Sequence, residues 1–130
     1  EATCHCKSVR LTIKYKPEFL LSCNCSICHR YGALWTYSTP DQIKVECNEH
    51  KTKPYVFGKE TKAFHHCENC GCVTHYVRTT AEADGRHRTA INLRMSDPDL
   101  ILDLPMVQFD GLKTLKDLPR DGRKVGDMWC

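Results

Sequence analysis

Three cysteines fall within six positions, Cys23, Cys25 and Cys28 in the stretch CNCSIC. Thiolates this close converge on one metal ion more readily than they meet the geometry of disulfides to distant partners. Structural zinc takes four protein ligands, whereas catalytic zinc takes three and keeps one position exchangeable. Three sulfurs therefore point to an open position, where a zinc ion can accept a thiol, lower its pKa and hold it as a thiolate beside a carbon. The expected chemistry is at a carbon–sulfur bond, with Cys23, Cys25 and Cys28 as the catalytic centre.

Two further pairs complete the pattern. Cys67-x-x-Cys70-Gly71 is a zinc knuckle, half a site, in which the glycine lets the backbone turn under the sulfurs. Cys4-x-Cys6 supplies a second pair, and the two pairs together give four thiolates around one structural ion while closing a long loop. Two zinc ions are thus expected, one at Cys4, Cys6, Cys67 and Cys70 and one at the triplet. The triplet's fourth ligand stays open: His29, His65, His66, Cys47 and Cys72 are all chemically capable. The bland reading of Cys47 and Cys72 is packed or partly exposed thiols, and Cys130 reads as a terminal thiol.

Ten cysteines in 130 residues suit either an oxidised secreted scaffold or metal ligation in a reducing compartment. The spacing favours metal, and with it a cytoplasmic location. The chain begins at Glu1, and residues 1–11 do not read as a signal peptide. No run approaches the roughly 18 apolar residues of a membrane span, so no membrane partner is expected. The formal charge of +3 counts thiols as neutral; seven ligating thiolates and two dipositive ions bring it to about zero. With no basic stripe left over, no nucleic-acid partner is expected.

The elements that must carry these cysteines read as mostly β. Residues 9–15 and 73–78 alternate apolar and polar, the period of a half-buried strand. Residues 33–37, 55–58 and 89–94 read as further strands, with 73–78 and 89–94 placed to pair across the turn at Asp84-Gly85. The one helix expected is short, over residues 98–104, with Ser96 or Asp97 as cap and Pro98 in the first turn. After Phe109 large apolar residues thin out, which divides the chain into a zinc domain over 1–109 and a C-terminal tail over 110–130.

Five motifs occur in order: Cys4-x-Cys6; Cys23-x-Cys25-Ser26-x-Cys28-x-Arg30-x-Gly32-Ala33; Tyr55-x-Phe57-Gly58; Cys67-x-x-Cys70-Gly71; and Asn92-x-Arg94. In that order they resemble the glutathione-dependent formaldehyde-activating enzyme family, which includes centromere protein V, over roughly residues 2–109. The resemblance implies small stacked antiparallel sheets organised by zinc-binding cysteine loops, and the same two sets of ligands. It also implies carbon–sulfur lyase or synthase activity of the kind that joins glutathione to formaldehyde as S-hydroxymethylglutathione. The chain departs from the family's commoner pattern at Lys7, His29, His66 and Cys72, the first standing where glycine is frequent. These changes bear on the pocket and so on the identity of the thiol adduct.

The reading is therefore a zinc-dependent carbon–sulfur lyase or synthase acting on glutathione or a similar small-molecule thiol adduct. Glutathione carries two carboxylates, for which Arg30, Lys59 and Arg94 are the candidate cations, with Trp35 and Tyr31 as walls of the site. The alternative is a non-enzymatic zinc module that binds another macromolecule.

Overall fold

A computed structural model describes residues 1–129; Cys130 lies outside the described residues. Eleven strands and one short helix follow along the chain: β1 Ala2–Thr3, β2 Val9–Ile13, β3 Leu20–Cys23, α1 Cys28–Tyr31, β4 Leu34–Ser38, β5 Ile43–Cys47, β6 Thr52–Tyr55, β7 Lys62–Cys67, β8 Val73–Arg78, β9 Thr89–Asn92, β10 Met106–Asp110 and β11 Lys116–Asp117. They form a three-stranded sheet, β1-β2-β5, and an eight-stranded sheet, β11-β10-β3-β4-β9-β8-β7-β6. All pairings are antiparallel except β10 with β3, where Phe109 lies opposite Cys23. The mostly β architecture expected from the sequence is thus what the chain adopts, as two stacked sheets.

Strand alternation decides what each face of the large sheet buries. Leu20, Leu34, Ile91 and Met106 point to one face and pack against Leu11 and Ala2 of the small sheet, with Ile101 and Val125 in the same cluster. Trp35, Phe64, Tyr76 and Ala90 point to the other face, where Leu21, Cys23, Tyr37 and Cys28 join them. Cys4, Val9 and Cys67 form a third, small cluster between the sheets. The aromatic face is covered by no second layer of strands, and this leaves room for a cleft.

Several local expectations change. The strand expected at residues 55–58 lies instead at β6, and Phe57 and Gly58 belong to the turn after it, with Gly58 at φ 60°. The apolar character of that run comes from aromatic stacking, Tyr55 on Phe57 at 5.6 Å, and not from a ladder. The strand expected at 89–94 stops at Asn92, whose side chain accepts from the Arg94 N–H and starts a 3-10 turn, Leu93–Met95. Over 98–104 only one 3-10 turn forms, Pro98–Leu100, capped by Asp97. Among the described residues no helix is long and apolar enough to cross a membrane.

The segment after Phe109 is tied to the core despite its composition. Residues Asp110 and Lys116 pair across β10 and β11, Met106 N–H donates to the Arg123 carbonyl, and Val125 N–H donates to that of Leu104. Val125 is fully buried, a contribution of roughly 1.5–3 kcal/mol. One buried valine and a set of backbone hydrogen bonds leave little trace in hydropathy, so the sequence reads as a tail what the structure packs onto the domain.

Candidate metal centres

The first group of sulfurs is built from two tight turns. In the turn after Cys4, Lys7 N–H donates to the Cys4 carbonyl and Cys4 N–H to that of Val9, 2.9 and 3.0 Å. Lys7 stands at φ 64°, the left-handed region that glycine adopts without strain. In the second turn Gly71, at φ 74°, donates to the Cys67 carbonyl, and Cys67 N–H donates to that of Cys72. The two turns bring the sulfurs of Cys4, Cys6, Cys67 and Cys70 within 4.8 Å of one another. Cys4 and Cys6 are 3.6 Å apart and Cys6 and Cys67 3.7 Å. That is far beyond disulfide length, and close to the separation of about 3.8 Å that a tetrahedron of sulfurs 2.3 Å from one zinc ion requires. Val9 N–H donates to the Cys4 sulfur. Burial pushes the Cys4 thiol up to about 12, whereas hydrogen bonds from Ser8 hold Cys6 down at about 5. Four sulfurs in such contact cannot all ionise without a cation among them, and the donor set fits a metal ion.

The second group sits where β3 ends and α1 begins. Cys23, Cys25 and Cys28 also lie within 4.8 Å of one another, with Cys28 buried and the other two half-buried. The Cys25 N–H donates to the Cys23 sulfur at 3.4 Å. Cys23 is held down at about 5, chiefly by its hydrogen bond with Cys28; the same contact and burial push Cys28 up. The buried Trp35 indole N–H has no hydrogen-bond partner, and its nearness opposes the rise at Cys28. Among the described residues only three candidate ligands meet here.

A loop that the sequence places in the tail walls this triplet. A Cβ on Gly111 would lie 2.7 Å from the Cys23 sulfur and 2.9 Å from Cys25 Cβ. Next to it, the Asp110 carboxylate accepts from Asn24 Nδ2, from the N–H of Lys113 and of Thr114, and from the Thr114 hydroxyl. Asn24 Oδ1 in turn accepts from the Leu112 N–H, 3.0 Å. These donors, Asn24 first, hold the Asp110 carboxyl well below the usual carboxylate range. The Asp110-Gly111 pair was the available signal, but it reads in sequence as an ordinary turn.

Two clefts open on the triplet, both touching Cys23, Cys28 and Phe109. One, of 340 Å³, lies on the aromatic face, with Lys62 and Arg88 among its walls; the other, of 530 Å³, lies on the opposite side and includes His29 and Arg94. Of the residues expected to bind substrate, Trp35 lines the first cleft and Arg94 the second, its guanidinium 4.7 Å from the Trp129 ring. Arg30 turns back to the Ser26 carbonyl and lies with Tyr31 beside Tyr55 and Phe57. Lys59 is exposed in the turn after β6 and lines neither cleft. Lys62 and Arg88, distant in sequence from every cysteine of the triplet, were not singled out; nothing short of strand register would have found them.

The other candidate ligands lie elsewhere. Cys72 packs beside Cys4 and Cys67, and Cys47 is exposed on β5. His65 stacks on His75 at 4.5 Å and shares a hydrogen bond with Thr52. Burial lowers the pKa of both rings, that of His75 to about 3. His29 alone among the histidines considered lines a cleft with the triplet.

A family model described as "Glutathione-dependent formaldehyde-activating enzyme" matches residues 1–99. The fold is similar to a crystal structure of a Rhodobacter sphaeroides protein, with a TM-score of 0.62 and 23% identity over 81% of this chain and 97% of that one. None of the curated proteins compared matches.

Proposed function

Since the chain belongs to the glutathione-dependent formaldehyde-activating enzyme family, we propose that it is a zinc-dependent carbon–sulfur lyase or synthase acting on glutathione or a similar thiol. The observation that supports this most is the contrast between its two sulfur clusters: four donors, two of them buried, that line no cleft with the triplet, and three at the mouth of two clefts. Cys4, Cys6, Cys67 and Cys70 would hold a structural ion, and Cys23, Cys25 and Cys28 a second. A zinc ion at the triplet supplies a Lewis acid that favours the thiolate form of an incoming thiol. The chain's own residues do the rest. Asn24, Asp110 and Gly111 fix the triplet loop, Arg94 faces the cleft where a thiol's carboxylate can lie, and the aromatic walls exclude water from the reacting carbon.

The test is calorimetric. Freshly purified protein should carry two zinc ions, the triplet ion being removed first by chelators because three thiolates hold metal less firmly than four. Glutathione should then bind with release of close to one proton. A free thiol has a pKa of about 8.5, so affinity should rise with pH below that value and level off above it. S-methylglutathione, which has no proton to lose, should bind much more weakly. No proton release, with equal affinity for the two ligands, would leave a zinc-binding module without this chemistry.

A further inference from the structure

The triplet stands at the end of β3, and so it is reached from both faces of the large sheet. The two approaches differ in chemistry. On one face the walls are mainly aromatic, Phe19, Trp35, Tyr37, Tyr76 and Phe109, with Lys62, Arg88 and Asp117 also lining the cleft. On the other, Ser22, Asn24, His29, Arg94 and Gln108 stand beside Leu34, Met106, Leu118 and Met128, so that this cleft is mixed and carries the polar groups. Register explains the division: Leu21 pairs with Trp35, and Phe109 with Cys23, on the aromatic face, whereas Ser22 pairs with Gln108 and with Leu34 on the other.

We propose, building on the function above, that the carbon partner of the thiol is an aldehyde bearing an apolar group of several carbons, an aromatic ring best of all. That group lies in the aromatic cleft, and the peptide of the thiol lies in the polar cleft beside Arg94. The reaction is an addition: the sulfur–carbon bond forms at the carbonyl carbon, the thiol proton ends on the carbonyl oxygen, and reversal breaks the same bond with no change in oxidation state. A one-carbon adduct would leave the 340 Å³ aromatic cleft filled by nothing but water. A benzyl-sized group would exchange that water for ring contacts with Phe19, Tyr37 and Phe109. Two cations and one carboxylate line this cleft besides its rings. Lys62 lies 5.1 Å from the centre of the Tyr76 ring, Arg88 pairs with Glu82 at 3.6 Å, and Asp117 adds an opposing charge. An aldehyde bearing a carboxylate would set that charge against the electron-rich faces of the rings and is the poorer fit.

The experiment follows formation of the glutathione adduct by NMR exchange with the zinc-loaded protein, using formaldehyde, glyoxylate and phenylacetaldehyde, each corrected for its uncatalysed rate. kcat/KM should be at least about tenfold higher for phenylacetaldehyde than for the other two, the discrimination an apolar pocket gives. In a parallel titration read by tryptophan fluorescence, S-benzylglutathione should bind about tenfold more tightly than S-methylglutathione. Phe19→Ala, or Phe19→Leu should the alanine variant fold poorly, should bring both ratios toward one. Turnover of formaldehyde with no preference for the larger aldehyde, preference for glyoxylate, or ratios unchanged in both Phe19 variants would overturn this inference and leave the function standing. Acceleration of no aldehyde, together with absence of proton release on glutathione binding, would overturn both.

Discussion

Replacing Cys67 by serine is expected to unfold or aggregate the protein. Its sulfur is fully buried and 3.7 Å from Cys6, which is 61 residues away in the chain. The four-sulfur cluster therefore joins the turn before β2 to the turn after β7. Structural zinc sites give apparent free energies of about 10 to 16 kcal/mol near pH 7, as large as the net stability of about 5 to 15 kcal/mol of a whole domain. Loss of one ligand here removes a sizeable part of that and leaves three thiols in contact between the sheets. Cys28→Ser should instead give a folded protein with no activity, since its neighbours belong to a separate core cluster. Circular dichroism melting with zinc analysis checks both, and a Cys67→Ser protein that melts like the parent with its zinc unchanged would remove the structural assignment.

The second large effect is expected from a single methyl group. Gly111→Ala puts a Cβ 2.7 Å from the Cys23 sulfur and 2.9 Å from Cys25 Cβ, atoms of short side chains that can give only by shifting the triplet itself. Gly111 does not take a left-handed conformation, so the substitution tests the contact and not the backbone. Disturbing residues that orient metal ligands typically costs 10- to 100-fold in metal affinity or activity, and a loss of that order is expected at the triplet. The four-sulfur site should keep its ion, and the melting temperature should change little. Asn24→Ala, which removes the link to Asp110, should act in the same direction. A Gly111→Ala protein with both ions and full turnover would show that the loop does not brace the site.

Local spacing made the two groups of sulfurs readable before any fold was known. Cys67 and Cys70 are one turn apart, as are Cys4 and Cys6, so the chemistry that joins them is written in a few consecutive residues. The strands at 9–13, 34–38, 73–78 and 89–92 were legible for a similar reason, since alternation or aromatic content marked them. β3 was not, because LLSC shows no clear alternation: Leu20 and Leu21 are buried or half-buried on opposite faces of the sheet. Missing β3 and β10 hid their parallel pairing, and with it the approach of Asp110 and Gly111 to a loop some 86 residues earlier. Lys62 and Arg88 reach the cleft through the same kind of long-range register, which proximity to a motif cannot supply. Arg30 and Lys59 show the converse: closeness in sequence to a motif did not carry their side chains into either cleft.

The order of the large sheet has one more consequence, for behaviour in concentrated solution. An open sheet of eight strands has two edges where unpaired amides could template a foreign strand. At one edge β11 is only two residues long. At the other, β6 contains Pro54, which has no N–H to offer, and it is flanked and interrupted by the exposed lysines Lys51 and Lys53. Each edge thus ends in a feature that disfavours strand addition, so that a chain rich in strands and exposed aromatics can remain dispersed while keeping its clefts open.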